Sequence, residues 1–128
     1  MAGKFALIIG NSKYDDPTLT QLHAPDADVQ VLAEVLRDPA IGGFSVQTLV
    51  NESSQVASQE IESFFADRKT DDLLLFYFSG HGVKDESGQL YFAVSSTRTK
   101  LLRSTAIPAQ LVNEVMRLSR SRQQVLLT

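Results

Sequence analysis

Apolar and polar positions along this chain follow two rhythms, one of strands and one of helices. Lys4–Gly10, KFALIIG, is a short apolar run closed by glycine, the pattern of a buried first strand. Residues 11–24 are polar and carry Pro17, which predicts a long loop. From Pro25 onward, Val29, Leu32, Val35 and Leu36 recur at helical spacing. Pro25 suits a first helical turn, Asp26 and Asp28 suit its positive end, and Pro39 with Gly42-Gly43 stops it. Phe44–Val50 predicts a second strand. Ser54–Asp67 predicts a helix with Val56, Ile61, Phe64 and Phe65 inward. Asp72–Phe78, DLLLFYF, predicts a third strand, apolar on both faces as in a sheet covered by helices. Ser79–Gly82, SGHG, breaks it sharply. Glu86–Gly88 predicts a turn, Gln89–Val94 a strand returning from it, Ile107–Ser119 a helix, and Gln124–Thr128 a fourth core strand.

This order predicts an α/β fold with a mainly parallel sheet and helices on both faces. The working residues of such folds lie beyond the carboxyl ends of the strands. Two loops sit there with unusual composition: the polar loop after the first strand, and SGHG after the third.

Composition narrows the classes. A length of 128 residues allows one domain, and 43% hydrophobic content is enough to bury a core. The longest apolar run, Leu73–Phe78, has six residues. A membrane helix needs about 20, so no membrane partner is expected. No charged-then-apolar leader opens the chain, which predicts a cytoplasmic protein. The net charge of −3 hides an asymmetry. Residues 1–96 hold 6 Lys/Arg against 14 Asp/Glu, and residues 97–128 hold 6 against Glu114 alone. No aromatic residue follows Phe92, so the basic end lacks a stacking platform and is read as a solvated face rather than a nucleic-acid site. There are no cysteines, hence no thiolate metal site and no thiol nucleophile among these residues.

His81 stands out. It follows the most hydrophobic strand, with a glycine on each side that lets a ligand or another backbone approach. Histidine trades protons near neutral pH, and the Gly82 N–H could face a developing oxyanion. A structural histidine in a tight turn is the competing reading. No side chain nearby makes an obvious nucleophile. Ser79 shares the turn, and Ser12, Ser53 and Ser54 lack a nucleophile elbow. His23 is the only second imidazole and no H-x-x-x-H pair exists, so no metal site is expected. Gly80–Gly82 begins G-x-G, but Asp85 occupies the place of the third glycine of a dinucleotide loop.

With these residues in order, the chain resembles the caspase-like cysteine peptidases, most of all their prokaryotic and metacaspase branch. KFALIIGNSKY (4–14) resembles that family's opening strand and loop, and LHAPDADVQVLAEVL (22–36) its first helix. LLLFYFSGHGV (73–83) resembles the strand that delivers the catalytic histidine. Residues 88–116 resemble the stretch after it, and QQVLLT (123–128) the strand that leads to the nucleophile. The resemblance implies a three-layer caspase-hemoglobinase fold, incomplete at its C-terminal end. Residues 1–128 would be the N-terminal, large-subunit-like part of one peptidase domain. It implies a Cys–His dyad, with His81 as the dyad histidine and the Gly82 N–H as an oxyanion donor. A caspase histidine lies about 50 residues before its cysteine, which places the nucleophile near position 131. The Cys-bearing segment is then an expected partner, beside a protein or peptide substrate, and the 128 residues alone are expected to hydrolyse nothing. Apolar surface left by missing layers makes self-association a further expectation.

Within that branch an acidic S1 pocket selects Arg or Lys. Asp28 matches the family position for one of its carboxylates, with Asp26 as the alternative; a helix-start role competes for both. No cofactor is implied, although Asp15-Asp16 and Asp71-Asp72 are candidates for calcium. Arg98, Lys100 and Arg103 lie in a stretch read as an exposed loop and are candidate self-cleavage sites. The alternative function is a non-catalytic caspase-like module that binds a protein partner.

Overall fold

The computed structural model describes residues 3–127. Four parallel strands form the main sheet: β1 (Lys4–Gly10), β2 (Ser45–Val50), β3 (Leu73–Ser79) and β7 (Gln123–Leu127), in the order β2-β1-β3-β7. A small antiparallel sheet, β4 (Gly82–Lys84), β5 (Leu90–Phe92) and β6 (Ile107–Pro108), hangs from the carboxyl end of β3. The helices are α1 (Ala24–Arg37), α2 (Ser54–Phe65), the short α3 (Leu102–Thr105) and α4 (Ala109–Leu118).

Strand pleating divides the core in two. Leu7, Ile9, Leu74, Phe76 and Phe78 face α2 and α4, where they meet Ala57, Ile61, Phe64, Phe65 and Val112. Ile8 faces α1, where it meets Val29 and Ala33. Helices therefore cover both faces, as the element order predicts. The two covers are unequal. α1 lies over β1 and β2 and reaches β3 only at its margin. Leu73, Leu75 and Tyr77 are consequently half-buried, although the pattern of β3 predicts burial on both faces. Val125 and Leu127 on β7 lie beyond α1 and are exposed.

Helix geometry corrects two side-chain expectations. α1 docks through Val29 and Ala33, flanked by Leu32 and Leu36. At about 100° per residue Val35 points well off that stripe, and it is exposed. α2 docks through Ala57, Ile61, Phe64 and Phe65. Val56 lies about 100° behind Ala57 and is exposed too. Size alone predicts the larger residue inward, but the flat sheet favours small residues where the helix axis approaches it.

Two boundaries also shift. Ile107 and Pro108 pair with Phe92 and Tyr91 of β5, so the last helix starts at Ala109. The stretch read as a loop around Arg98–Arg103 is a 3-10 turn (Thr99–Leu101) running into α3. The Thr105 hydroxyl accepts from the Arg98 N–H at 2.8 Å and lies 2.6 Å from the Leu101 carbonyl. A peptidase binds an extended chain, so cleavage there would require this turn to open first.

Phe76 sits at the centre of the larger core with no exposed surface. Phe76→Ala is expected to cost about 3–5 kcal/mol of stability. Urea unfolding of this chain measures it, as a lower midpoint with an unchanged slope.

Candidate functional site

The parallel register sets Gly10 beside Ser79, so the loops leaving β1 and β3 emerge together at the carboxyl edge of the sheet. The ladder continues one rung further, where the Asn11 N–H donates to the Ser79 carbonyl at 2.9 Å. After that rung β3 breaks. A Cβ on Gly80 would lie 2.9 Å from the Tyr14 hydroxyl and 3.3 Å from the Phe78 ring, so only glycine lets the two loops close.

His81 follows, half-buried at the rim. Three contacts from the loop after β1 hold its ring and its N–H. The His81 backbone N–H donates to the Tyr14 hydroxyl at 3.1 Å, and that hydroxyl donates to the Asn11 carbonyl at 2.8 Å. The Tyr14 and His81 rings sit 5.0 Å apart, tilted by 49°. The imidazole Nε2 lies 2.8 Å from the Thr20 carbonyl oxygen. A carbonyl can only accept, so Nε2 carries the proton of the neutral ring. Nδ1 is then the nitrogen with a free lone pair, and it is the ring's proton acceptor.

Gly82 is exposed and opens β4. In the β4–β5 ladder the bonded rungs are Ala93 N–H to the His81 carbonyl and Asp85 N–H to the Gln89 carbonyl. Gly82 lies between rungs, so its N–H turns away from β5 toward open space. The sequence expectation concerned this donor. A cleft of about 400 Å³ lies alongside it, lined by Tyr77, Phe78, Ser79, Gly80, Gly82, Leu90 and Phe92. An outward N–H can donate to an anionic oxygen, and a ring with one nitrogen fixed and the other free can accept a proton.

Asp26 and Asp28 are both exposed on the first turns of α1, close to the same edge of the sheet. They open onto different grooves. Asp28 lines one with Ala27, Val31, Leu32, Val35 and Tyr77, and Tyr77 also lines the cleft beside His81. Asp26 lines another with Val29 and Val50, on the β2 side. The Asp28 groove thus shares Tyr77 with the cleft at Gly82, and the Asp26 groove shares none of its lining.

Two of the four carboxylates considered for calcium, Asp16 and Asp72, clamp loops. Asp16 accepts from the Thr18 N–H and hydroxyl through Oδ1 and from the Thr99 N–H, at 2.7 Å, through Oδ2. Asp72 accepts from the Gly3 and Lys69 N–H groups. Bonds from Thr99 and Thr18 hold the Asp16 carboxyl far below the ordinary carboxylate range. The Lys69 N–H lowers Asp72 against some opposing desolvation. The Ser87 hydroxyl does the same for Asp85 in its turn. Burial pushes the Tyr14 hydroxyl up, partly offset by the His81 N–H. Among the described residues no cluster of three or more His, Asp or Glu is placed to share a metal ion, and no helix is long and apolar enough to cross a membrane.

Several residues at this edge carry no signal in the sequence. Asn51, in the left-handed region at φ 56°, accepts from the Ser12 and Lys13 N–H groups and pins the start of the loop. Thr20 acts through its main chain, which any residue would provide. Tyr14 is the only Phe, Tyr or Trp of residues 11–24, and no local pattern ties it to His81.

Residues 3–123 match the family model described as a caspase domain. That is nearly the whole chain, and the chain belongs to the caspase domain family. No curated protein matches it. The family is one of cysteine peptidases, and the α/β layers and the histidine at the carboxyl edge agree with it. With no cysteine in its 128 residues, this chain is not catalytic by itself.

A carboxyl with a depressed native pKa adds stability above its unfolded value, near 4, and loses it as the pH falls toward the native value. The fold is therefore expected to resist acid until below about pH 4, with Asp16, Asp72 and Asp85 contributing. Asp16→Asn should flatten the dependence of Tm on pH between about 4 and 2 relative to the parent. Parallel curves would mean that Asp16 stores no such stability.

Proposed function

We propose that the chain is the histidine-bearing part of a cysteine endopeptidase of the metacaspase-like branch, cleaving after Arg or Lys. The carrying observation is the His81 imidazole, with Nε2 tied to the Thr20 carbonyl so that Nδ1 is left as the proton acceptor, one residue before the exposed Gly82. In this reading Nδ1 takes the proton of a cysteine thiol. The thiolate attacks a peptide carbonyl, the Gly82 N–H steadies the oxyanion, and the imidazolium protonates the leaving amine.

The cysteine belongs to a segment following β7. β7 pairs with β3 at a constant offset: Leu73 lies opposite Gln123 and Tyr77 opposite Leu127, 50 residues apart each time. The interval expected between a caspase histidine and its cysteine is also about 50 residues. A chain continuing from β7 in register is thus led toward the His81 turn and its cleft. The exposed Val31, Val35, Val125 and Leu127 on the α1 side are apolar surface that further layers of such a domain would cover. A thiol nucleophile suits the reducing cytoplasm.

Asp28 is read as one carboxylate of the S1 pocket, because its groove shares Tyr77 with the histidine cleft. A carboxylate there would pair with a guanidinium or ammonium and reject an acidic P1 residue.

In the protein carrying its cysteine, His81→Ala is expected to lower kcat by on the order of 10³-fold or more. Retained activity overturns the dyad role and leaves the protein-binding module as the reading. Matched fluorogenic peptides ending in Arg, Lys and Asp test specificity. Arg and Lys should be cut and Asp not, and Asp28→Asn should lower kcat/KM for the basic pair by about 10–100-fold. Preference for Asp, or an unaffected Asp28→Asn, overturns the pocket assignment.

A further inference from the structure

Every group that holds the His81 side chain comes from residues 11–22, and that loop is closed by its own bonds. The Leu22 N–H donates to the Ser12 carbonyl at 2.7 Å, joining its ends. Inside that closure the Gln21 carboxamide grips the Tyr14 main chain at two points. Its Oε1 accepts from the Tyr14 N–H at 2.9 Å, and its Nε2 donates to the Tyr14 carbonyl at 2.9 Å. A side-chain amide thus serves as a strand rung, fixing residue 14 against residue 21. The two groups facing the imidazole are the ring of residue 14 and the carbonyl of residue 20. One bond pair therefore sets the spacing of both.

Tyr14 completes the frame. It is 5% exposed, with its hydroxyl shared between the Asn11 carbonyl and the His81 N–H. Gln21 is exposed, so its position is not explained by burial. A long polar side chain held in one rotamer gives up conformational entropy, and here both polar ends of the amide are matched to one backbone unit.

We propose that Gln21 and Tyr14 are positioning residues for His81. Gln21 presents the Thr20 carbonyl to Nε2, and Tyr14 fixes the backbone and ring plane, so that Nδ1 is held as the free nitrogen. The inference rests on His81 acting as the peptidase base. Neither residue touches the reacting atoms.

Imidazole NMR on the ¹⁵N-labelled chain tests this without peptidase activity. His23 is the only other histidine, so His23→Ala assigns the signals. The parent should show a His81 Nε2–H proton protected from solvent exchange by its bond to the Thr20 carbonyl. In Gln21→Ala and Tyr14→Phe that proton should exchange about tenfold faster or vanish from the spectrum, while the amide spectrum stays that of a folded chain. An Nε2–H equally protected in both variants overturns the proposal. If Tyr14→Phe fails to fold, Gln21→Ala, a change at an exposed side chain, decides alone. In the cysteine-bearing protein Gln21→Ala should lower kcat about tenfold with KM little changed, and a change confined to KM overturns the positioning role. Full activity of His81→Ala would sink the peptidase reading instead, whatever the imidazole spectra show.

Discussion

The Asn11 N–H and the Ser79 carbonyl make one hydrogen bond past the last paired residues of β1 and β3. Without that rung the loop after β1 and the turn after β3 would diverge. With it, they run side by side long enough for Tyr14 to reach the His81 N–H and for the Thr20 carbonyl to reach Nε2. Gly80 is what allows the rung, because a side chain there would push Tyr14 away. The site is therefore a consequence of parallel register. Strands that start together at one edge deliver their loops together at the other, and residues 67 positions apart become neighbours.

Electrostatics around this edge serves the loops first. Asp16 links the residue 11–22 loop to Thr99, and the Asp15 N–H donates to the Ser95 carbonyl. The same loop thus connects the histidine to residues 95–99, just before the 3-10 turn. That turn is itself tied by the Thr105 hydroxyl. A disturbance of the 97–105 stretch would reach His81 through Asp16 and Thr20, by contacts that are all on the protein surface or close to it. Four carboxylates, Asp16, Asp38, Asp72 and Asp85, are spent on backbone N–H groups.

Much of the fold was legible in the sequence. The bounds of β1 coincide with the apolar run, and the alternation of strands with helical patterns predicts the parallel sheet. Legibility failed where tertiary geometry chose among side chains of one helix, as with Ala33 over Val35 and Ala57 over Val56. It failed again at β6, two residues too short to carry a period. At the candidate site, His81 and Gly82 stand out in the sequence because glycine flanks the histidine on both sides just after an apolar strand. Thr20 does not, since a main-chain carbonyl leaves no trace in the side chain above it. Gln21 and Tyr14 were hidden because their meaning depends on a loop closure that no local pattern announces.

The direction of the imidazole is what turns a structural contact into a chemical one. A histidine bonded through Nε2 to a carbonyl could be merely a satisfied rim residue, and the Thr20 contact alone does not separate the two. The separation comes from what the bond leaves over. It leaves Nδ1 as the ring's proton acceptor. A cleft at the same turn is bounded by Ser79, Gly80 and Gly82 and by Tyr77, the last β3 residue that β7 pairs with. It also adjoins Gly82, whose N–H points away from β5, as at each non-bonded pair of the β4–β5 ladder. β4 is the edge of its sheet, so the Gly82 N–H is exposed and available to a ligand that brings an oxygen. In the proposed reaction a carbonyl developing negative charge would be that ligand.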